Sequence, residues 1–460
     1  MTVLSLILVL SVFSIIGYFF GFRRSRRTVN GNIRKLHSLP SYYGFFVAIW
    51  CGIPAFLLLG IWITLEPAII DSMILDNLPQ ETREISKDRL SLVMNDIKNL
   101  AKGDIVSSTP DPETLEAAAL YNRLKATSSV ALFTVILSVS AIGLGGGLRF
   151  ISPAMRARVF VENTIKLIML ACSTVAIFTT IGIVLSVIFE AGRFFKLVPI
   201  TDFLFGLHWS PQIAIRADQV GASGQFGVIP LIVGTLLITL IAMLVAVPIG
   251  LLSAIYLSEY ASQRLRTVVK PLLEILAGIP TVVYGFFAAL VVAPFFMNTG
   301  NKIGIDVSSE SALAAGVVMG IMIIPFVSSL SDDVISAVPQ SLRHGSLGIG
   351  ATVFETVLYV LLPAALPGII GSILLAISRA IGETMIVVMA AGLTANLTGN
   401  PLAAVTTITV QIVTGLVGDQ EFDNPKTLAA FALGLVLFTL TLFLNIIALY
   451  VVRKYREQYE

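Results

Sequence analysis

Residues 226–261 read FGVIPLIVGTLLITLIAMLVAVPIGLLSAIYLSEYA, with no charged side chain from Phe226 to Ser258. A helix rises about 1.5 Å per residue, so about 20 such residues cross roughly 30 Å of hydrocarbon. Similar windows recur on both sides: Thr2 to Phe22, Tyr43 to Leu65, Ser128 to Leu148, Lys166 to Phe189, Val228 to Leu257, Pro271 to Phe296, Ala312 to Leu330, Pro367 to Leu393 and Leu428 to Val452. The spacing predicts an all-α integral membrane protein with about nine transmembrane helices. Composition agrees, because 56% of the 460 residues are hydrophobic and 13% are charged, against about 25% charged in an ordinary soluble protein. Mean hydropathy is +0.90, which excludes a soluble globule. The windows from Val228 and Pro271 exceed one straight crossing, and each holds breakers, Pro248 with Gly250 and Gly278 with Pro280, where kinks or ends are expected.

Sidedness follows from Lys and Arg, which stay in cytoplasmic loops. Seventeen lie on one side, beginning with Arg23, Arg24, Arg26, Arg27, Arg34 and Lys35, against five (Arg193, Lys196, Arg216, Lys302 and Lys426) in the opposite short loops. The amino terminus is therefore expected outside and the carboxyl terminus in the cytoplasm. The first window lacks a basic n-region and a small-residue cleavage site before Arg23, so it reads as a retained anchor rather than a signal peptide. The outer segment from Glu66 to Ala126 carries eleven acids against seven bases. There Ile85, Leu92 and Ile97 recur at roughly helical spacing, and the SSTPDPE turn at 107–113 separates helices. It is either a small cap or a solvated connector. Cys51 and Cys172 both sit in apolar stretches and read as free thiols.

Several function classes drop out. A net charge of +2 without a basic domain argues against nucleic acid as a partner. His37, His208 and His344 fall in different loops, so no metal site is expected and no cofactor is implied. Neither G-x-S-x-G nor any Gly-Lys pair occurs, which removes a nucleophile elbow and a Walker A loop. The chain is expected to be non-catalytic, with uphill transport driven by ATP hydrolysis in a partner chain or by an ion gradient.

One cytoplasmic loop, SDDVISAVPQSLRHGSLGIGATVFETVLYVLLPAALPG at 331–368, is too long for a tight turn and too apolar for a free linker. Gly345 and Ser346, then Gly350, then Phe354, Val357 and Leu358 up to Pro363 predict a short helix, a bend and a second helix. Small side chains there permit close approach of another surface. An interfacial helix on lipid headgroups is the competing reading.

These residues resemble the coupling loop of bacterial binding-protein-dependent ABC importer permeases, E-A-A-x-x-x-G followed after nine residues by I-x-L-P. The match falls at Gly350, Val360, Leu362 and Pro363, whereas His344 replaces the glutamate and Gly345 and Ser346 the two alanines. FGVIPLIVGTLLITLIAMLVAVPIGLLSAIYLSEYA, LLEILAGIPTVVYGFF and SRAIGETMIVVMAAG resemble the PstC family of phosphate ABC transporter permeases over about Lys166 to Tyr455. The resemblance implies a permease domain at 166–460 whose six helices form half of a heterodimeric pore, with a coupling loop at about 331–366. It implies as partners a second permease (PstA-like), an ATPase dimer (PstB-like), a periplasmic phosphate-binding protein (PstS-like) and inorganic phosphate, in a bacterial inner membrane. Residues 1–165 would be an N-terminal extension with three transmembrane helices.

The eighth window holds Arg379 and Glu383. Counted from Pro367 as helix start, they lie about 18 and about 24 Å in, where a charge costs roughly 2.5–3.5 kcal/mol on insertion scales. Spaced four apart they share a helix face with Ser372. As a substrate path, Arg379 would offer a guanidinium fork to an oxyanion while Glu383 orients it; as a structural pair, they would neutralise each other. Glu274 is expected to pair at the basic cytoplasmic edge, and Asp332 and Asp333 to form the solvated end of the seventh helix. From the residues alone, sulfate or molybdate fits one arginine as well as phosphate does, and an ion-coupled secondary transporter would also bury such charges.

Overall fold

The structure is a computed structural model describing residues 3–79, 87–103, 112–213, 223–417 and 424–456. Ile85, most of the turn at 107–113 and Arg216 lie outside the described residues. Nine helices among the described residues are long and apolar enough to cross a membrane: 4–28, 40–77, 112–150, 157–197, 229–260, 281–302, 312–337, 353–381 and 425–454. The chain divides into two units, Met1–Phe178 and Thr179–Glu460.

In the first unit, α1 (Val3–Thr28), α2 (Pro40–Asn77), α3 (Lys87–Lys102) and α4 (Pro112–Phe150) precede α5 (Ala157–Leu197), within which the units divide. Helices α1, α2 and α4 pack together. Small residues set their spacing: a Cβ at Gly21 would stand 2.8 Å from the Val47 side chain, closer than packed atoms tolerate. The 38 residues of α2 extend for about 57 Å, so the helix outruns the hydrocarbon layer. Its end, with α3 and the start of α4, buries Ile70, Ile74, Leu78, Met94, Ile97, Ala117 and Ala118. Lys98 pairs with Asp71 at 2.8 Å. The described residues of the segment from Glu66 to Ala126 thus form helical segments with a small core of their own.

The second unit continues through α6 (Ile200–Phe205), the strands β1 (Trp209–Ile213) and β2 (Ser223–Phe226), and α7 (Ile229–Ile255), which a π turn extends to Tyr260. Then come α8 (Gln263–Ala277), α9 (Thr281–Phe287), α10 (Ala293–Lys302) and α11 (Ala312–Ala337). The last helices are α12 (Gln340–Gly348), α13 (Val353–Thr356), α14 (Leu362–Ile381), α15 (Met385–Ala390), α16 (Ile408–Leu416) and α17 (Pro425–Arg456). Helix α11 is central, capped by Ser311, whose hydroxyl accepts from the Ala314 amide at 3.3 Å. It packs along α7 through glycines that leave no room for a side chain: a Cβ on Gly316 would meet Ile241 at 2.7 Å, and one on Gly320 would meet Val245 at 2.8 Å. Around them lies a core containing Ile238, Ala242, Met319, Ile323, Ala376, Ile386 and Val387.

The breakers Gly278 and Pro280 end α8 as expected, so the window from Pro271 is two helices, and Arg264, Arg266, Lys270 and Glu274 of α8 suit an interfacial position. Two other sequence expectations are corrected. Pro248, by contrast, stays inside an unbroken α7. The eighth span runs from Val353 to Ile381 rather than from Pro367 to Leu393, because Gly382 closes the helix. The antiparallel hairpin of β1 and β2, with Trp209 opposite Phe226, was not anticipated. Its aromatics join Phe194 and Phe203 in a cluster that seats the hairpin.

Candidate functional site

The loop at 331–368 folds as helix, bend and helix. Helix α12 ends at Gly348, and Gly350 turns the chain with φ +95°, a conformation that costs L residues about 1–2 kcal/mol. Thr352 then starts α13 with a capping box, exchanging hydrogen bonds with Glu355. A π turn joins α13 to α14 at Leu362. Ser346 and Thr356 bond hydroxyl to hydroxyl at 3.0 Å across the bend. Ser346 is therefore buried inside the loop, while His344, Gly345 and Gly350 are exposed and Leu362 and Pro363 half-buried. Around the bend stand Ile349 at 88% exposure, Phe354 at 65% and Tyr359 at 72%. The bend thus presents an exposed apolar knob whose backbone is fixed by caps and hydrogen bonds.

Beneath the loop lies an ion network that the sequence reading missed. The Asp332 side chain, 3% exposed, accepts from Arg266 at 2.8 Å and from Lys270 at 3.0 Å. Only Asp333, 63% exposed, fits the expected solvated helix end, so Asp332 is corrected to a buried ion-pair residue. The hydrogen bond to Asp332 lifts the Lys270 ammonium above its ordinary pKa range. Arg343 of α12 pairs with Glu259 at 3.1 Å and donates to the Ile335 carbonyl at 2.7 Å. Glu274 is exposed and has no ion-pair partner among the described residues, against expectation. Asp332 and Asp333 beside two basic loop residues were the available signal, but sequence separation of more than sixty residues hid the pairing.

The structure separates Arg379 from Glu383. Helix α14 ends at Ile381, so the two do not share a helix face, and no ion pair joins them among the described residues. Arg379 is exposed in the last turn, its guanidinium 5.8 Å from the centre of the Phe326 ring of α11. Glu383 turns onto the start of α15, where its Oε1 accepts from the amides of Thr384 and Met385, each at 3.1 Å. Its carbonyl accepts from Thr409 at 2.8 Å. Ser372 is buried, and its hydroxyl donates to the Gly368 carbonyl at 2.8 Å. Of the three, Arg379 alone is exposed. Two helix ends meet in the break at Gly382, and the chain returns through α16, held by Gln411, which accepts from the Trp209 ring and donates to the Leu393 carbonyl, both at 2.9 Å.

Comparison with known proteins follows this geometry. A family described as "Phosphate ATP-binding cassette transporter" matches residues 7–179. One described as "Binding-protein-dependent transport system inner membrane component" matches residues 246–457, which include the bent loop around Gly350 and the broken helix. The phosphate transport system permease protein PstC of Mesorhizobium japonicum is 33% identical over 271 residues, 55% of this chain and 78% of that protein. The chain belongs to the PstC family. Within it, the PstC protein of Haemophilus influenzae is 35% identical over 177 residues, 35% of this chain and 53% of its own length. The probable ABC transporter permease protein YqgH of Bacillus subtilis is 32% identical over 203 residues, 43% of this chain and 61% of its own length. The chain thus spans between half and two thirds of these last two relatives. Membership of the PstC family makes it a multi-pass membrane protein of the ABC permease type.

Proposed function

We propose that this chain is the transmembrane permease subunit of an ATP-driven phosphate importer. It forms half of the pore beside a PstA-like permease, docks one subunit of a PstB-like ATPase dimer and receives phosphate from a PstS-like periplasmic protein. It is itself non-catalytic and lies in the inner membrane, amino terminus outside and carboxyl terminus in the cytoplasm. The observation that carries the reading is the capped helix, bend and helix at 340–361, with exposed Ile349 and Phe354 beside the left-handed Gly350. A lipid-facing interfacial helix needs no fixed bend, whereas a docking knob does. His344, Gly345 and Gly350 would meet the ATPase; Ser346, Leu362 and Pro363 would set the shape of the loop.

Arg379 is the proposed oxyanion contact, because the residue is exposed beside the helix break and has no carboxylate partner among the described residues. Glu383 would act at one remove by holding the start of α15, and Ser372 keeps only a packing part in the path. The domain division proposed is an extension over residues 1–165 and a permease domain over 166–460. The test is reconstitution: the chain is co-expressed with the neighbouring ATPase and second permease, and uptake of radiolabelled phosphate into proteoliposomes is measured with ATP inside and a phosphate-binding protein outside. ATP-dependent uptake that excess sulfate and molybdate leave unchanged supports the reading. Competition by either anion would assign another oxyanion, and uptake without an ATPase would reject the class.

A further inference from the structure

We infer that Glu259 and Arg343 form the tether through which the coupling helix α12 moves the pore helices, a reading that rests on the permease assignment above. Arg343 lies on α12, one residue before His344. Its guanidinium reaches Glu259 Oε1 at 3.1 Å and the Ile335 carbonyl at 2.7 Å. Glu259 occupies the π turn that prolongs α7, and Ile335 the last turn of α11. A single side chain of the coupling helix therefore grips the inner ends of both central helices.

The neighbourhood makes this grip directional. Ser258 donates to the same Glu259 oxygen at 2.9 Å, fixing the carboxylate. The Arg343 and Glu259 side chains are 13% and 12% exposed, so water screens the pair little. Arg266 and Lys270 of α8 bind Asp332 one turn before Ile335, joining α8 to the inner end of α11. Along their length α7 and α11 touch through Gly250, Gly316 and Gly320 with no slack, so a pull at either inner end reaches the core around Ile323 and Val387. On the other side of α12, Ser346 bonds Thr356 of its own loop. A hydrophobic contact of the same size would stabilise as well or better; a charge pair adds fixed geometry and a bond that separates and re-forms as a unit.

Two measurements test it. Hydrogen exchange on the full purified chain reports the tether whatever the protein transports: Glu259→Gln should speed exchange of the 340–349 amides. In the reconstituted transporter, Glu259→Gln should keep the ATPase bound, because Glu259 is not on the docking knob, while phosphate moved per ATP hydrolysed falls at least about fivefold, the lower range of coupling between sites. Glu259→Arg combined with Arg343→Glu should recover most of that ratio, although the grip on Ile335 is lost. Parental exchange and a parental ratio in Glu259→Gln would overturn the inference alone. So would a swap that leaves the ratio at the level of Glu259→Gln, since that marks a residue needed for shape and not for transmission. Failure of the parent chain to bind any ATPase would reject the permease reading, and this inference with it.

Discussion

Ser346 and Thr356 close the bend around Gly350 hydroxyl to hydroxyl at 3.0 Å, ten residues apart in the chain and both buried. Thr356 also donates to the Thr352 carbonyl at 2.9 Å, so it keeps a partner when Ser346 is changed. Ser346→Ala should therefore cost only about 0.5–1.5 kcal/mol. Ser346→Leu, which must fit a larger group in the same place, should cost about 1–3 kcal/mol and detach α12. Thermal unfolding in detergent measures the first and protease cleavage between Gly348 and Thr352 the second.

Gly350 separates backbone from surface effects. Nothing lies within 4 Å of where its Cβ would be, yet φ is +95°. Gly350→Ala should lower stability of the bend by about 1–2 kcal/mol and reduce uptake partly. Gly350→Arg adds a long charged side chain to the docking face and should abolish ATPase co-purification while the chain still inserts. Normal co-purification and uptake by the arginine variant would make the loop a membrane-surface helix.

Because Arg379 has no carboxylate partner among the described residues, its removal leaves no buried charge behind there. Arg379→Gln should assemble like the parent and lose phosphate uptake by about tenfold or more, consistent with roughly 1.5–3 kcal/mol for a charged hydrogen bond. Arg379→Lys should restore it only in part. Glu383→Gln keeps an acceptor for the Thr384 and Met385 amides and should be milder. Parental uptake by a well-expressed Arg379→Gln protein would remove this residue from the path.

Helix contact in the core predicts a folding defect rather than a transport defect. Gly316→Leu places a side chain where Ile241 already stands 2.7 Å from a bare Cβ, a cost of about 1–3 kcal/mol or more. The expected result is loss of the monodisperse chain on size exclusion, with no variant that folds and fails to transport.

Sidedness has a direct check. Under the proposed orientation, a maleimide that does not cross membranes should label Lys102→Cys and miss Arg27→Cys. The opposite pattern would invert the assignment.

All nine apolar spans were legible because hydrocarbon length and charge exclusion act residue by residue. The bend at Gly350 was legible too, since only a residue without Cβ takes that conformation cheaply. What stayed hidden depends on partners distant in sequence. The eighth span shifted because Phe354 to Pro363 is apolar enough to belong to the loop or the helix alike, and Gly382, not an apolar limit, ends it. Asp332 looked solvated because the bases that bury it sit more than sixty residues earlier. Arg379 and Glu383 looked like an i, i+4 pair because that spacing presumes an unbroken helix. The hairpin from Trp209 is too short for a periodic signal and is seated by aromatics from other elements.

Ile349 at 88% exposure and Phe354 at 65% also bear on how the chain must be made. Overproduced without the proposed ATPase partner, each molecule would display a sticky tip, and neighbouring tips would adhere to one another or attract proteases that clear orphan subunits. Yield should therefore follow the subunit ratio during synthesis, with balanced co-expression giving more intact protein than a stronger promoter for this chain alone.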